Sequence, residues 1–131
     1  MRIGILGGSF DPIHYGHLLM AEACREQCRL DLVWFLPAAL PPHKQTVTLA
    51  PAEARFEMLE LATGGHPAFA VRRDELDRPG VSYTVETLEA LHRSQPLHEW
   101  ILLLGADSLA DLPQWRAPDR IAELAELAVV G

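Results

Sequence analysis

Apolar positions along this chain change period several times, and each change marks an element. Residues 3–6 are an apolar run, short enough for a buried strand. Residues 18–28 switch to helical spacing, with Glu22, Arg25, Glu26 and Arg29 as the opposite, polar stripe. Residues 32–37 (LVWFLP) are again apolar throughout and stop at a proline, as a strand entering a loop does. No period survives over residues 38–50, the longest irregular stretch. A second helix is expected from Pro51 to the Gly64-Gly65 stop, with Phe56, Leu59 and Ala62 inward and Glu53, Glu57 and Glu60 outward. Residues 68–73 predict a third strand and 77–82 a turn, and Val85, Leu88 and Leu91 mark a third helix. Residues 100–108 predict a fourth strand ending in a glycine. Pro118 opens a further helix through about Leu127, and the closing AVVG begins a fifth strand.

Strands alternating with helices of about three turns imply a parallel sheet. The expectation is an α/β, Rossmann-like doubly wound sheet of about five strands with flanking helices, in one domain spanning residues 1–131. That length suits one core and not two. Apolar residues make up 49% of the chain, which favours folding over disorder, and the formal charge of −7 argues against a general nucleic-acid or membrane-surface binder. Cys24 and Cys28 sit one helical turn apart, too few for a zinc site and wrongly spaced for a redox pair; with Met20 they read as buried apolar lining in a reducing compartment. Glycines and Asp11 interrupt the N-terminal apolar run before it could act as a secretory leader, and no run reaches membrane-spanning length. A cytoplasmic location is expected.

The chemistry concentrates in residues 7–17, GGSFDPIHYGH. They follow the first strand, and open parallel sheets bind ligands at the carboxyl ends of their strands. Gly7 and Gly8 leave backbone N–H groups open to a phosphate, and the next helix points its positive end at the same place. His14 and His17, at i and i+3, would share a face and reach the same anion. A Gly-Gly turn alone is weak, and the stretch is neither G-x-G-x-x-G nor a Walker A loop. Strand, Gly-Gly, His-x-x-His and helix together suit nucleotidyl transfer, where charge builds on an α-phosphate and a leaving pyrophosphate. A metal pair would need a third ligand, and none follows at a recognisable spacing. His66, His92 and His98 read as surface or turn residues, and Asp11 and Pro12 as loop-shaping ones.

GGSFDPIHYGH resembles the first signature of the HIGH-motif nucleotidyltransferases, in the form found in the small adenylyltransferases. PPHK (residues 41–44), SYT (82–84) and GADSLADLPQW (105–115) resemble, in the same order, further signatures of the bacterial nicotinate mononucleotide adenylyltransferases. The resemblance implies transfer of an adenylyl group from ATP to nicotinate mononucleotide, with Mg²⁺ carried by the ATP phosphates. By matched motif, His14, His17 and Lys44 would be catalytic: the histidines hold the triphosphate and its transition state, and Lys44 neutralises phosphate charge. Gly7, Gly8, Ser9 and Phe10 would cradle ATP, with His17, and Gly105 and Asp107 would contact its adenosine side. His43, Lys44, Tyr83, Thr84 and Trp115 would hold the nicotinate nucleotide, Thr84 near its carboxylate and Trp115 stacked on its pyridinium ring. Asp107 could also cap the helix after Gly105, and Trp115 could be core.

The family's Ser/Thr-rich signature I-S-S-T-x-I-R, near its C-terminus, has no match here, so the C-terminal part of the family domain is expected to be absent. ATP would then lose a cation, and an uncovered apolar edge would favour self-association into a homo-oligomer. Two rival functions follow. Phosphopantetheine adenylyltransferase shares the first signature, although pantetheine offers no ring for Trp115. A nucleotide-binding module with little catalysis would bind nicotinate mononucleotide and release no pyrophosphate.

Overall fold

The computed structural model describes residues 1–42 and 49–130. Among the described residues five strands and five helices follow in the order β1 (Arg2–Gly8), α1 (Tyr15–Gln27), β2 (Leu32–Pro37), α2 (Ala52–Thr63), β3 (Phe69–Val71), α3 (Thr84–Ser94), β4 (Glu99–Gly105), α4 (Ala106–Asp111), α5 (Pro118–Leu124) and β5 (Glu126–Val130). A 3₁₀ turn, Leu112–Gln114, links α4 to α5. All strand pairs are parallel, in the order β3-β2-β1-β4-β5. This is the expected doubly wound Rossmann-like sheet.

Strand periodicity divides the core into two layers. Ile3, Ile5, Trp34, Leu36, Trp100, Leu102 and Leu104 face one way, against Leu88 and Leu91 of α3 and Ile121 and Leu124 of α5. Leu6, Val33, Phe35, Ile101 and Leu103 face the other way, against Ala21 and Cys24 of α1 and Leu59 of α2. Because both faces are covered, the strands read in sequence as continuous apolar runs rather than alternating ones. Both cysteines are free thiols, Cys24 buried and Cys28 half-buried.

The structure corrects several boundaries and faces. α1 begins at Tyr15, three residues before the apolar stripe, because His14 caps it. α2 turns Arg55, Leu59 and Thr63 inward, while Ala62 is exposed and Phe56 only half-buried. The last helix stops at Leu124, since Leu127 already pairs with Leu102 in β5. His66 is half-buried: its ring stacks on Phe69 at 3.8 Å and its Nε2 lies 2.8 Å from Glu22 Oε2. No helix among the described residues is long and apolar enough to cross a membrane.

Candidate active site

The strand order reverses between β1 and β4, and there the sheet opens. β1 pairs with β2 as far as Gly8 opposite Pro37, but with β4 only as far as Ile5 opposite Leu102. Over their last residues β1 and β4 part, and a cleft of about 900 Å³ fills the gap. This is the switch-point crevice at which doubly wound sheets take their ligands. Gly7, Gly8, Ser9, His14, His17, Tyr83, Thr84, Gly105, Asp107 and Trp115 all line it, bringing together residues from both ends of the chain. His43 and Lys44 lie outside the described residues.

Of the residues expected in this site and described, Phe10 alone is absent from the cleft wall. Its ring is 2% exposed, edge-on to His17 at 5.0 Å and tilted against Phe35 at 6.0 Å. Its φ of 48° is left-handed, which costs a non-glycine residue on the order of 1–2 kcal/mol. Burial of the ring offsets that cost, so Phe10 anchors the loop beside the cleft.

The two histidines cap α1 and each other. His14 is the N-cap, and its Nδ1 accepts a hydrogen bond from the Gly16 N–H at 3.0 Å. His17, three residues on, accepts from the His14 N–H through its own Nδ1 at 3.1 Å. The result is a capping box built from two imidazoles, stacked with centroids 3.9 Å apart. An Nδ1 that accepts a backbone N–H cannot carry the ring proton, so the proton sits on Nε2 in both rings. Both histidines are therefore Nε2–H donors at the positive end of a helix, suited to phosphate oxygens and not to a metal ion. Gly16 is part of the device. A Cβ there would stand 2.8 Å from His14 Cε1 and 2.9 Å from its Nδ1. Among the described residues no three His, Cys, Asp or Glu side chains group as a metal site.

The start of α3 also lines the cleft, through Tyr83 and Thr84. Tyr83 is its N-cap residue, with no side chain bonded to cap it. Thr84 is the first helical residue, so the N–H groups of this turn lack helical acceptors and suit an anion. Ser82 is buried and structural: its Oγ accepts from the N–H groups of Ala39 at 3.1 Å and Leu40 at 3.4 Å, tying the exit of β2 to the entry of α3. The guanidinium of Arg116 lies 4.6 Å over the Tyr83 ring, and its Nη1 is 3.8 Å from Glu86. Trp115 is half-buried, packed on the core and lining the cleft. Asp107 lies in the first turn of α4 but makes no capping bond; Gly105 is the N-cap.

Glu75 is the residue that sequence reasoning missed. It lines the cleft at 6% exposure, and its Oε2 accepts the Thr87 hydroxyl at 2.8 Å. Burial pushes its carboxyl up to about 7, against the Thr87 bond and the charge of Arg78, which pull it down; the charge of Asp74 adds to the rise. No sequence signal marks it, since Glu75 stands among other charged residues in RRDELDR.

A family model described as cytidylyltransferase-like matches residues 5–131. The chain is 50% identical over 128 residues to a protein of Thermomicrobium roseum named "Probable nicotinate-nucleotide adenylyltransferase", covering 98% of this chain and 60% of that one. A protein of Thermus thermophilus with the same name is 52% identical over 130 residues, covering 99% of this chain and 69% of that one. The chain thus spans about three-fifths to two-thirds of the length of these relatives. The fold is also that of the Plasmodium falciparum nicotinic acid mononucleotide adenylyltransferase complexed with NaAD, with a TM-score of 0.76 at 16% identity, over 98% of this chain and 74% of that one. A switch-point cleft between β1 and β4, flanked by a histidine-capped helix and matched along almost the whole chain, places the protein in the cytidylyltransferase-like family.

Proposed function

We propose that this chain carries the nucleotide site of an adenylyltransferase that joins ATP to nicotinate mononucleotide, forming nicotinate adenine dinucleotide and pyrophosphate. The observation that carries the reading is the imidazole capping box: two Nε2–H donors at a helix N-terminus, on the wall of the switch-point cleft. The names of the relatives supply the substrates. A phosphate oxygen of the mononucleotide attacks the ATP α-phosphorus, a new P–O bond forms, and the bond to the β-phosphate oxygen breaks to release pyrophosphate. His14 and His17 donate to the phosphate oxygens as charge builds, and Lys44 adds a cation. Gly7, Gly8, Ser9 and the Phe10 backbone receive the triphosphate, while Gly105 and Asp107 take the adenosine side. His43, Tyr83, Thr84 and Trp115 form the nicotinate side: the N–H groups at the start of α3 meet its carboxylate, and Trp115 its cationic ring. Mg²⁺ carried on the ATP phosphates would neutralise part of their charge, while the two histidines offer Nε2–H hydrogen bonds to phosphate oxygens.

The test is pyrophosphate release by this chain with ATP, Mg²⁺ and either nicotinate mononucleotide or phosphopantetheine. Release with the nicotinate nucleotide alone is expected. His17→Ala should slow it by roughly 10²-fold while costing only about 1 kcal/mol of stability through the lost capping bond. Release with phosphopantetheine alone, or an unchanged rate in His17→Ala, refutes the reading.

A further inference from the structure

Arg55 heads the fully buried side chains of the described residues by size, at 2% exposure. A buried guanidinium is expensive, and an apolar side chain of similar volume would serve packing as well or better. Arg55 also forms no ion pair among the described residues; the charge of Asp11 acts on it only from a distance, and burial pulls its pKa down. Its hydrogen bonds go to backbone carbonyls. Nη1 donates to Ser9 O at 2.8 Å and to Ala38 O at 2.7 Å, and Nε donates to Ala50 O at 2.9 Å. Those carbonyls belong to the exit of β1, the exit of β2 and the approach to α2. Asp11 completes the clamp by accepting the Ala50 N–H at 3.1 Å.

The Ser9 contact bears on the site. Ser9 and Phe10 share a trans peptide, in which the N–H points opposite to the C=O. A guanidinium that draws the Ser9 carbonyl toward itself turns the Phe10 N–H the other way, in a loop whose Gly8 and Ser9 line the cleft. Its positive charge, bonded to neutral carbonyls and offset only by the Coulombic pull of Asp11, also lies at the loop after β1. We infer that Arg55 is a positioning residue for polyphosphate: it sets the orientation of the Ser9–Phe10 peptide and lays a buried cation at the loop that receives the anion. The inference deepens the adenylyltransferase reading and rests on it for the identity of the polyphosphate as ATP.

The experiment compares Arg55→Met and Arg55→Lys with the unaltered chain in equilibrium binding of ATP with Mg²⁺ and, separately, of nicotinate mononucleotide. Arg55→Met should raise the ATP Kd by roughly tenfold or more and leave the mononucleotide Kd within about twofold. Arg55→Lys keeps the charge but cannot span the carbonyls, and should fall between. Where turnover is measurable, KM for ATP should rise more than kcat falls; a merely structural role would shrink the active fraction and spare both Kd values. Unchanged ATP affinity in folded variants, equal losses for both ligands, or no ATP binding by the unaltered chain would each overturn the inference. Binding of both nucleotides without pyrophosphate release would sink the enzymatic reading alone and leave this one standing on the ATP comparison. Should neither variant fold, ATP must still shift the Phe10 amide and Arg55 Nε–H resonances of the unaltered chain, and their indifference overturns it.

Discussion

Glu75 makes the stability of this protein depend on pH in an unusual direction. Burial against the cleft holds its carboxyl at about 7, above the ordinary 4.5. Between those values the folded chain keeps a proton that the unfolded chain has released, so stability falls as pH rises. The full penalty, reached once pH passes about 7, is on the order of 3 kcal/mol. Roughly 2 kcal/mol of it accrues between about pH 5 and pH 7.5, which corresponds to roughly 8 °C in Tm for a chain of this size. Glu22 acts in the opposite sense and lower down. Held to about 2, chiefly by its hydrogen bond with Arg25 and then by His66, it contributes stability that is complete above 4.5 and drains away toward pH 2. The two windows do not overlap. Glu75→Gln keeps an acceptor for the Thr87 hydroxyl and removes the titration. Thermal unfolding followed by circular dichroism from pH 5 to pH 8, at constant ionic strength, should give a falling Tm for the unaltered chain and a flatter profile for the variant. The curves should meet near pH 5 and separate above it, with the variant more stable. Parallel profiles, or a Tm that rises across this window in the unaltered chain alone, would refute the assignment of the slope to Glu75.

Two substitutions probe the walls of the cleft. Gly16→Ala should gain up to about 1 kcal/mol from helix propensity, yet its Cβ collides with the His14 ring at 2.8 Å and breaks the cap. The expected outcome is a chain no more stable than the original by denaturant melts and as slow in pyrophosphate release as His14→Ala; a stabilised, fully active Gly16→Ala would refute the capping geometry. Trp115→Ala should weaken nicotinate mononucleotide binding by roughly tenfold and spare ATP, while Trp115→Phe retains most of the affinity. Equal binding in all three forms, measured by calorimetry, would assign Trp115 to packing alone.

The elements are legible in the sequence wherever apolar side chains alone decide the structure. β2 runs from Leu32 to Pro37 as expected, and Val85, Leu88 and Leu91 of α3 are all buried. Legibility fails where a polar side chain is buried or a backbone group is capped. The inner face of α2 has Arg55 as its first member and Thr63 as its last, whose hydroxyl donates to Leu59 O at 2.8 Å within the same helix. Hydrophobic periodicity scores both as outward and draws Phe56 and Ala62 inward in their place. The apolar stripe marks α1 only from Leu18, but His14 and His17 sit where the helix begins; what the sequence hides is their capping-box exchange, because imidazoles are not among the usual caps. The same residues explain why the cleft is more legible than the fold's details. His14, His17 and the glycines carry chemistry that their types announce, whereas Arg55, Ser82 and Glu75 act through backbone carbonyls, backbone N–H groups and a single threonine hydroxyl.

That division has a physical consequence for the site. The loops after β1 and β2 are held in register by polar bonds to their backbones: Arg55 to Ser9 and Ala38, Ser82 to Ala39 and Leu40, Asp11 to Ala50, and Ala38 N–H to Gly8 O at 2.8 Å. Apolar packing fixes volume and burial but is indifferent to the direction of a peptide plane. Hydrogen bonds are not, and a cleft that binds phosphate through backbone N–H groups depends on that direction. Removing one of these clamps should therefore change ligand affinity more than it changes the hydrophobic core. The Arg55 variants test this, since they remove bonds to the Ser9 and Ala38 carbonyls without deleting an apolar core side chain.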